Sequence, residues 1–139
     1  MQINIEGLPA KTEETVSNIA LQLNTLLSLG LDELSLHFIS DEALLQINVD
    51  YLQHDYYTDI ITFDLRDDLS KEAELFISMD RVAENATAYQ RPYLEELVRV
   101  VVHGLLHLTG QGDKSEQEAQ EMKNKENFYL EKLFHVKQV

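Results

Sequence analysis

The sequence contains no cysteine and no tryptophan, only two prolines and five glycines, and few basic residues. Without cysteine the chain has no disulfide, no thiolate nucleophile and no cysteine-ligated metal. Eleven Lys and Arg residues stand against 25 Asp and Glu residues, which gives a formal net charge of −14. This charge disfavours a protein that wraps nucleic acid through a broad basic face, so any polyanionic substrate has to be held locally.

Long apolar runs are missing too. The longest run, residues 100–108, is interrupted by His103 and His107 and is about half of the roughly 20 residues that span a bilayer. The first residues lack the basic and apolar regions of a signal peptide, which predicts a cytoplasmic protein with no membrane association. No linker, repeat or low-complexity block divides the chain, so we expect one domain over residues 1–139.

Hydrophobic periodicity predicts four short strands, over residues 2–5, 34–39, 60–65 and 74–77. Five helices are predicted between and after them, and their boundaries follow from capping residues. Thr12 is expected to cap the first helix and Gly30 to end it, Ser40 opens a short second helix, and the third covers residues 79–89. Pro92 starts the fourth helix, which runs to residue 108, and a capping box at Ser115 opens the fifth, which runs to about residue 134.

This pattern predicts an α+β fold, a single compact domain with a roughly four-stranded mixed sheet packed with about five helices. The strand order stays open. The fourth helix is apolar around most of its circumference and is therefore expected to be buried. From the first and last helices, the residues expected to face the core are Val16, Ile19, Ala20, Leu23, Leu26, Leu27, Ala119, Met122, Tyr129 and Leu133.

The segment His103-Gly-Leu-Leu-His107-Leu-Thr-Gly110-Gln-Gly-Asp113 carries the chemistry. Residues four apart on a helix lie about 40° apart around its axis, so the two imidazoles project from the same face and can share one cation. Gly110 can take the left-handed conformation that stops a helix and turns the chain. Asp113 can then bring a carboxylate to the same ion, because Ser115 already supplies the cap of the next helix.

Two nitrogens and one oxygen leave one position of a tetrahedral ion open, which is typical of a catalytic zinc site that acidifies a water or polarises a substrate oxygen. The alternative is that both histidines are hydrogen-bonded core residues and that Asp113 is an exposed loop acid. Burying two imidazoles in so apolar a helix is unfavourable unless each has a partner. We therefore predict a metal site formed by His103, His107 and Asp113.

The spacing H-x-x-x-H-x-x-G-x-x-D resembles the zinc-binding turn of metzincin peptidases, which carry a glutamate directly after the first histidine as general base. Gly104 occupies that position here. A mechanism of that type therefore lacks its proton acceptor. A metal-dependent hydrolase of another substrate, such as a peptide, stays open as an alternative, with Gly104 against it.

Three segments together resemble the YbeY family of bacterial endoribonucleases and rRNA maturation factors. Residues 48–63 match the family pattern N-x-x-Y-R-x-x-D-x-x-T-D-V-L-S-F without gaps, and residues 74–78 resemble its G-D-I-x-I-S strand. The family's metal motif is H-G-x-L-H-L-x-G-Y-D-H, with three histidine zinc ligands. The residues that match it are His103, Gly104, Leu106, His107, Leu108 and Gly110.

The departures from the family pattern fall at functional positions. Asp113 stands where the family has its third histidine, Gln111 and Gly112 replace the preceding Tyr and Asp, and Leu52 replaces the Arg after Tyr51. Aspartate remains a competent ligand, since carboxylate oxygen binds zinc at about 2.0–2.2 Å. The resemblance implies one Zn²⁺ per chain, and the anionic ligand is expected to admit Mn²⁺ or Fe²⁺ as well.

Loss of the Arg removes the natural clamp for a phosphodiester. Either Lys114, Arg91 or Arg99 substitutes for it, or the activity is weak. Lys114 is the best placed by sequence, and its alternative is a solvated loop lysine. No role is assigned to His37, His54 or His135, of which the first two are expected at the surface.

The resemblance implies a metal-dependent, single-strand-specific endoribonuclease that acts in rRNA maturation, at the 3′ end of 16S rRNA, and in ribosome quality control. We expect Asn48, Thr58 and Asp59 to line its cleft, the alternative being hydrogen bonding within turns. Because basic residues are few, naked RNA should bind weakly, and targeting is expected to come from the ribosomal particle or from a ribosomal or GTPase protein partner. A non-catalytic ribosome-assembly factor with a structural metal site is the second alternative.

Overall fold

The computed structural model describes residues 1–134, which form four strands and five helices. The strands are β1 (Gln2–Glu6), β2 (Glu33–Ile39), β3 (Ile60–Asp64) and β4 (Glu72–Ser78). The helices are α1 (Ala10–Leu26), α2 (Asp41–Leu52), α3 (Met79–Ala88), α4 (Tyr93–His107) and α5 (Glu116–Leu133). The predicted α+β fold, a single compact domain with a mixed sheet and five helices, is confirmed.

The strand order, which the sequence left open, is β1-β2-β4-β3. β2 pairs in parallel with both β1 and β4, whereas the edge strand β3 runs antiparallel to β4. The backbone N–H of Ser78, at the end of β4, donates a hydrogen bond to the carbonyl oxygen of Asp59 at 2.9 Å. This bond fixes the residue that precedes β3 at the edge of the sheet where the chain turns into α3.

One face of the sheet and the helices α1 and α4 form most of the core, to which α3 adds Val82 and α5 adds Met122 and Leu130. Alternation along β2, and along β4 as far as Ile77, follows from the two-residue period of a strand and buries every second side chain. α4 is buried on most of its surface, as predicted, and none of the described helices combines the length and the apolar character needed to cross a membrane. The buried apolar residues of β2 and β4 are Leu34, Leu36, Phe38, Ala73, Leu75 and Ile77.

The boundaries predicted for α1 are wrong at both ends. The helix begins at Ala10, and its N-cap residue is Pro9, whose carbonyl oxygen accepts from the N–H of Glu13 at 2.9 Å. Thr12 therefore lies within the first turn and caps nothing. At the other end the helix stops at Leu26 rather than at Gly30.

The early end of α1 has a local cause in its last turns. Asn24 binds the following loop twice, because its Oδ1 accepts from the N–H of Leu31 at 2.9 Å and its Nδ2 donates to the carbonyl oxygen of Leu31 at 3.3 Å. Ser28 adopts a left-handed backbone with φ of 53°. These contacts draw the chain into β2, and Leu26, predicted to face the core, is left 43% exposed.

The other capping predictions are confirmed. The Ser40 hydroxyl accepts from the N–H of Ala43 at 3.1 Å and opens α2, and the capping box between Ser115 and Glu118 opens α5. Pro92 precedes α4 as its N-cap residue. Ala119 was expected in the core but is exposed, because the buried stripe of α5 consists of Met122, Glu126 and Leu130.

Candidate metal centre

The last turn of α4 and the turn after it bring three ligand atoms together. The Nε2 atoms of His103 and His107 lie 3.0 Å apart on the same face of the helix. The Oδ2 of Asp113 lies 3.2 Å from the first and 3.4 Å from the second. Ligand atoms bound tetrahedrally at the usual zinc distances stand about 3.3 Å from one another. The three side chains can therefore hold one metal ion.

The outward ring nitrogens of both histidines have hydrogen-bond acceptors. His103 donates from Nδ1 to the Oε2 of Glu126 at 2.6 Å, and His107 donates from Nδ1 to the carbonyl oxygen of Gln111 at 2.9 Å. A carboxylate and a carbonyl only accept, so the proton of each neutral ring sits on Nδ1. The lone pairs of both Nε2 atoms then point at the shared position, which is the arrangement of histidines that ligate metals.

Glu126 is the residue of this centre that the sequence reasoning missed. Its side chain is buried, and Arg99 donates from Nη1 to its Oε1 at 3.3 Å. The available signal was its position, since Glu126 stands four residues from both Met122 and Leu130 within the apolar stripe of α5. A charged residue in such a stripe needs a buried partner, and here the partners are Arg99 and His103.

The surroundings of His103 favour positive charge at the site. Burial by itself disfavours the imidazolium, but the hydrogen bond to Glu126 and the negative charges of Glu126, Asp59 and Asp113 outweigh it and raise the pKa of His103 above its ordinary value. The same negative charges favour a divalent cation. The donor set and its electrostatics thus fit a metal ion.

The turn that carries Asp113 is built as predicted. Gly110 has φ of 92°, a left-handed conformation that favours glycine, and its N–H donates to the carbonyl oxygen of His107 at 3.0 Å. The N–H of Glu118 donates to the Ser115 hydroxyl at 3.0 Å, and the Glu118 carboxylate accepts from the N–H of Ser115. Ser115 and Glu118 therefore cap α5, and the Asp113 carboxylate is not needed for that role.

A cleft of about 500 Å³, here called the first cleft, opens beside the three ligands. Each cleft residue predicted from the sequence lies along it, namely Asn48, Thr58, Asp59 and Lys114. Leu52 lines the same cleft, so the cleft wall has an apolar side chain where the family pattern has an Arg. His54 also lies there and is exposed, as expected.

Asn48 holds the wall of the first cleft from inside. Its side chain is 2% exposed and donates from Nδ2 to the carbonyl oxygen of Tyr56 at 2.7 Å. The N–H of His54 donates to the carbonyl oxygen of Asn48 at 3.1 Å. The hydrogen bonding within a turn that was the alternative for Asn48 is therefore present, and it orders the loop between α2 and β3.

The remaining candidates lie elsewhere. Arg91 and Arg99 line a second cleft on the other side of the ligands. His37 was expected at the surface, but its side chain is only 19% exposed, and its ring nitrogens hydrogen-bond to Glu6 and Glu74 on the sheet face opposite the core. His135 lies outside the described residues.

The chain is similar to known proteins of one named family. A family model described as Endoribonuclease YbeY matches residues 2–134. The chain is 53% identical over 99 residues to the Endoribonuclease YbeY of Cytophaga hutchinsonii, and the aligned region covers 70% of this chain and 69% of that protein. It is 42% identical over 120 residues to the protein of the same name from Parabacteroides distasonis, covering 86% of this chain and 84% of the relative.

The fold has a counterpart among solved structures. The solution structure of TM1509 from Thermotoga maritima matches with a TM-score of 0.69 and 26% sequence identity, over 96% of this chain and 89% of that one. The matched residues 2–134 of the family model include both histidines, the turn to Asp113 and the residues of the first cleft. The chain therefore belongs to the Endoribonuclease YbeY family.

Proposed function

We propose that this protein is a metal-dependent, single-strand-specific endoribonuclease that matures the 3′ end of 16S rRNA and takes part in ribosome quality control. The observation that carries the proposal is the cluster of His103, His107 and Asp113 with both Nδ1 atoms already engaged. Membership of a family whose relatives are named endoribonuclease supports the reaction class.

His103, His107 and Asp113 would hold one Zn²⁺, and the carboxylate oxygen also suits Mn²⁺ or Fe²⁺. When bound, the ion supplies a Lewis acid for a phosphodiester oxygen and a means of activating water or a ribose hydroxyl. Glu126 and the carbonyl of Gln111 hold the two imidazoles in the orientation that this requires.

Two further residues of the first cleft have side chains suited to the reaction. The Asp59 carboxylate lines the cleft beside His103 and can accept the proton that the nucleophile loses. The Lys114 ammonium lies on the same cleft and can hold a phosphate through a charge-assisted hydrogen bond. We assign these two roles as part of the proposal.

The acidic composition favours an RNA substrate that is brought to the enzyme by a protein partner. With 11 Lys and Arg residues and a net charge of −14, the chain can make few of the phosphate contacts that supply most non-specific affinity for RNA. We expect weak, strongly salt-sensitive binding to naked RNA and targeting by the ribosomal particle, through a ribosomal or GTPase protein partner, in the cytoplasm.

The test compares the wild-type protein with Asp113→Ala and with the control Asp68→Ala, which removes an exposed loop acid outside the first cleft. Metal content by elemental mass spectrometry and cleavage of a single-stranded RNA are measured on each. We expect about one metal per chain in the wild type and in the control, and loss of both metal and cleavage in Asp113→Ala. Full metal occupancy in Asp113→Ala would remove that residue from the ligand set.

A non-catalytic ribosome-assembly factor is the second candidate, and Leu52 on the wall of the first cleft favours it, because an apolar side chain cannot clamp a phosphodiester. The two candidates separate when Asp113→Ala replaces the wild-type protein in cells. Normal assembly and normal 16S rRNA 3′ ends would favour the assembly factor, whereas unprocessed 3′ ends would favour the nuclease.

A further inference from the structure

A second cleft, of about 340 Å³, lies on the opposite side of the metal ligands from the first. It runs between the end of α3, the exposed side of α4 and the first half of α5, and we call it the α5 cleft. The two clefts share Asp59, His103 and Asp113. A chain passing over the ligands can therefore occupy both clefts at once.

Among the described residues, the α5 cleft has three basic residues, whereas Lys114 is the one Lys or Arg residue that lines the first cleft. Arg91, Arg99 and Lys123 line the α5 cleft, in a chain with eleven Lys and Arg residues altogether. Four acids of the same part of the chain line it as well: Glu96 is paired with Arg91 at 2.9 Å, Glu126 is engaged by His103 and Arg99, and Asp59 and Asp113 are shared with the first cleft. Within residues 1–134, nothing accepts a hydrogen bond from the buried Nε of Arg99.

An aromatic ring stands at the rim of the same cleft. Tyr89 lines the cleft and is 61% exposed, so its ring is accessible from the cleft. The guanidinium carbon of Arg91 lies over one face of the Tyr89 ring, 4.9 Å from its centre, so a base would stack on the other face. A flat aromatic ring beside a guanidinium is how proteins stack the bases of single-stranded nucleic acids while holding the backbone.

We propose that the α5 cleft binds the segment of single-stranded RNA that flanks the cleaved bond, with one base on Tyr89 and the adjoining phosphates on Arg91, Arg99 and Lys123. The proposal rests on the nuclease function proposed above and places the substrate on the α5 side of the metal centre. Leu52 provides no positive charge in the first cleft, and the basic residues of the α5 cleft then supply it.

The double variant Tyr89→Ala/Lys123→Gln tests the cleft with little risk to folding, because both residues are exposed. Arg91 and Arg99 are left intact, since they neutralise the buried Glu96 and Glu126. The matched control is Phe128→Ala/Lys132→Gln. Lys132 lies 5.9 Å from the Phe128 ring on α5, outside the α5 cleft, so the control loses the same kind of aromatic and the same charge.

Binding of the metal-loaded protein to a fluorescein-labelled, 2′-O-methylated oligouridylate of about ten nucleotides is measured over a series of salt concentrations. We expect the cleft variant to bind about tenfold more weakly, from the loss of base stacking. The slope of log affinity against log salt should also become shallower by about 0.7, from the loss of one phosphate contact. The control should match the wild type.

Cleavage of the unmodified strand separates this proposal from the function on which it rests. Wild-type cleavage with no difference in binding or KM between the cleft variant and the control would overturn the α5 subsite and leave the nuclease standing. Weaker binding confined to the cleft variant, without cleavage by the wild type, would support the subsite and overturn the nuclease. A raised KM with unchanged kcat in the cleft variant supports both.

Discussion

Gly104 lies directly against the buried side chain of Leu75. A Cβ atom built on Gly104 would stand 2.5 Å from Cδ2 of Leu75 and 2.7 Å from Cδ1 of Ile60. The residue between the two histidine ligands therefore faces the sheet, and α4 approaches the sheet closely because no side chain intervenes. This contact also argues against the peptidase alternative, since a general base at position 104 would be buried against β4 rather than exposed in a cleft.

The first prediction concerns this contact. Gly104→Ala should lower the free energy of unfolding by a net amount on the order of 1 kcal/mol, because overpacking costs about 1–3 kcal/mol and alanine regains about 1 kcal/mol in a helix. Urea denaturation measures the change. In the double variant with Ile60→Val, which removes the clashing Cδ1, part of the loss should return. A more stable Gly104→Ala protein would show that the helix can move away from the sheet without cost.

The second prediction concerns the acceptor behind His103. In Glu126→Gln the side chain offers Nδ1 of His103 either an amide nitrogen, which only donates, or an amide oxygen, which accepts more weakly than a carboxylate. The proton of the His103 ring is then no longer fixed on Nδ1. We expect metal affinity to fall about 10- to 100-fold, as for other partners of metal-bound histidines. Competition with a chromophoric chelator measures the affinity. Glu131→Gln, an exposed change of the same charge on α5, is the control, and equal losses in both variants would contradict the role given to Glu126.

The third prediction concerns the choice of metal. Asp113→His exchanges the anionic ligand for a third imidazole and restores the ligand set of the family pattern. Imidazole nitrogen suits Zn²⁺, whereas carboxylate oxygen also suits Mn²⁺. We expect the ratio of Zn²⁺ to Mn²⁺ affinity to rise, as read from parallel chelator titrations. An unchanged ratio, together with an unchanged pH–rate profile, would mean that the charge of Asp113 does not tune the site.

The fourth prediction concerns Arg66, which ties the end of α4 to the rest of the fold. It donates from Nη2 to the carbonyl oxygen of Leu108 at 2.6 Å and from Nη1 to that of Leu29 at 3.2 Å. Arg66→Ala should lower the free energy of unfolding by about 2–3 kcal/mol, since hydrogen bonds to charged groups contribute about 1.5–3 kcal/mol. Arg81→Ala, which breaks an ion pair with Asp41, should cost less than about 1 kcal/mol.

The cost of Arg66→Ala should depend on pH. The side-chain hydrogen bond from Arg66 holds the pKa of Asp64 below its ordinary value of 3.8. A carboxylate with a lowered folded-state pKa stabilises the protein above its unfolded-state pKa, and this contribution is lost as the pH falls through the folded-state pKa. The difference in free energy of unfolding between the wild type and Arg66→Ala should therefore be constant near neutral pH and become smaller below about pH 4. A difference that widens in acid would contradict the pairing.

The elements of this fold were predictable where the pattern is local. Strict alternation identified β2 as a strand, whereas Pro92 and an apolar run around most of the circumference identified α4 as a buried helix. Strand order was not predictable, because whether β4 pairs with β2 in parallel depends on contacts between distant segments. The start of α1 was missed because Pro9 opens the helix without any side-chain cap, so Thr12 offered a stronger but misleading signal.

The residues of the candidate site also fall into those that local sequence predicts and those that depend on distant contacts. His103 and His107 are one helical turn apart, so their convergence follows from helix geometry, and the glycine turn delivers Asp113 nearby. Glu126 reaches His103 only through the packing of α5 against α4, at a separation of 23 residues. The α5 cleft likewise requires three helices to meet, so single residues such as Arg91 or Arg99 could be named as candidate cations but not placed.

The start of α5 and the ligand turn occupy the same small volume. A Cβ on Gly112 would stand 2.4 Å from Oε2 of Glu118, the carboxylate that closes the capping box with Ser115. The Asp that the family pattern has at this position would bring a second carboxylate against the first. Grafting the complete family turn onto this scaffold would therefore displace the Glu118 carboxylate, so a change at position 112 also acts on the N-terminal cap of α5.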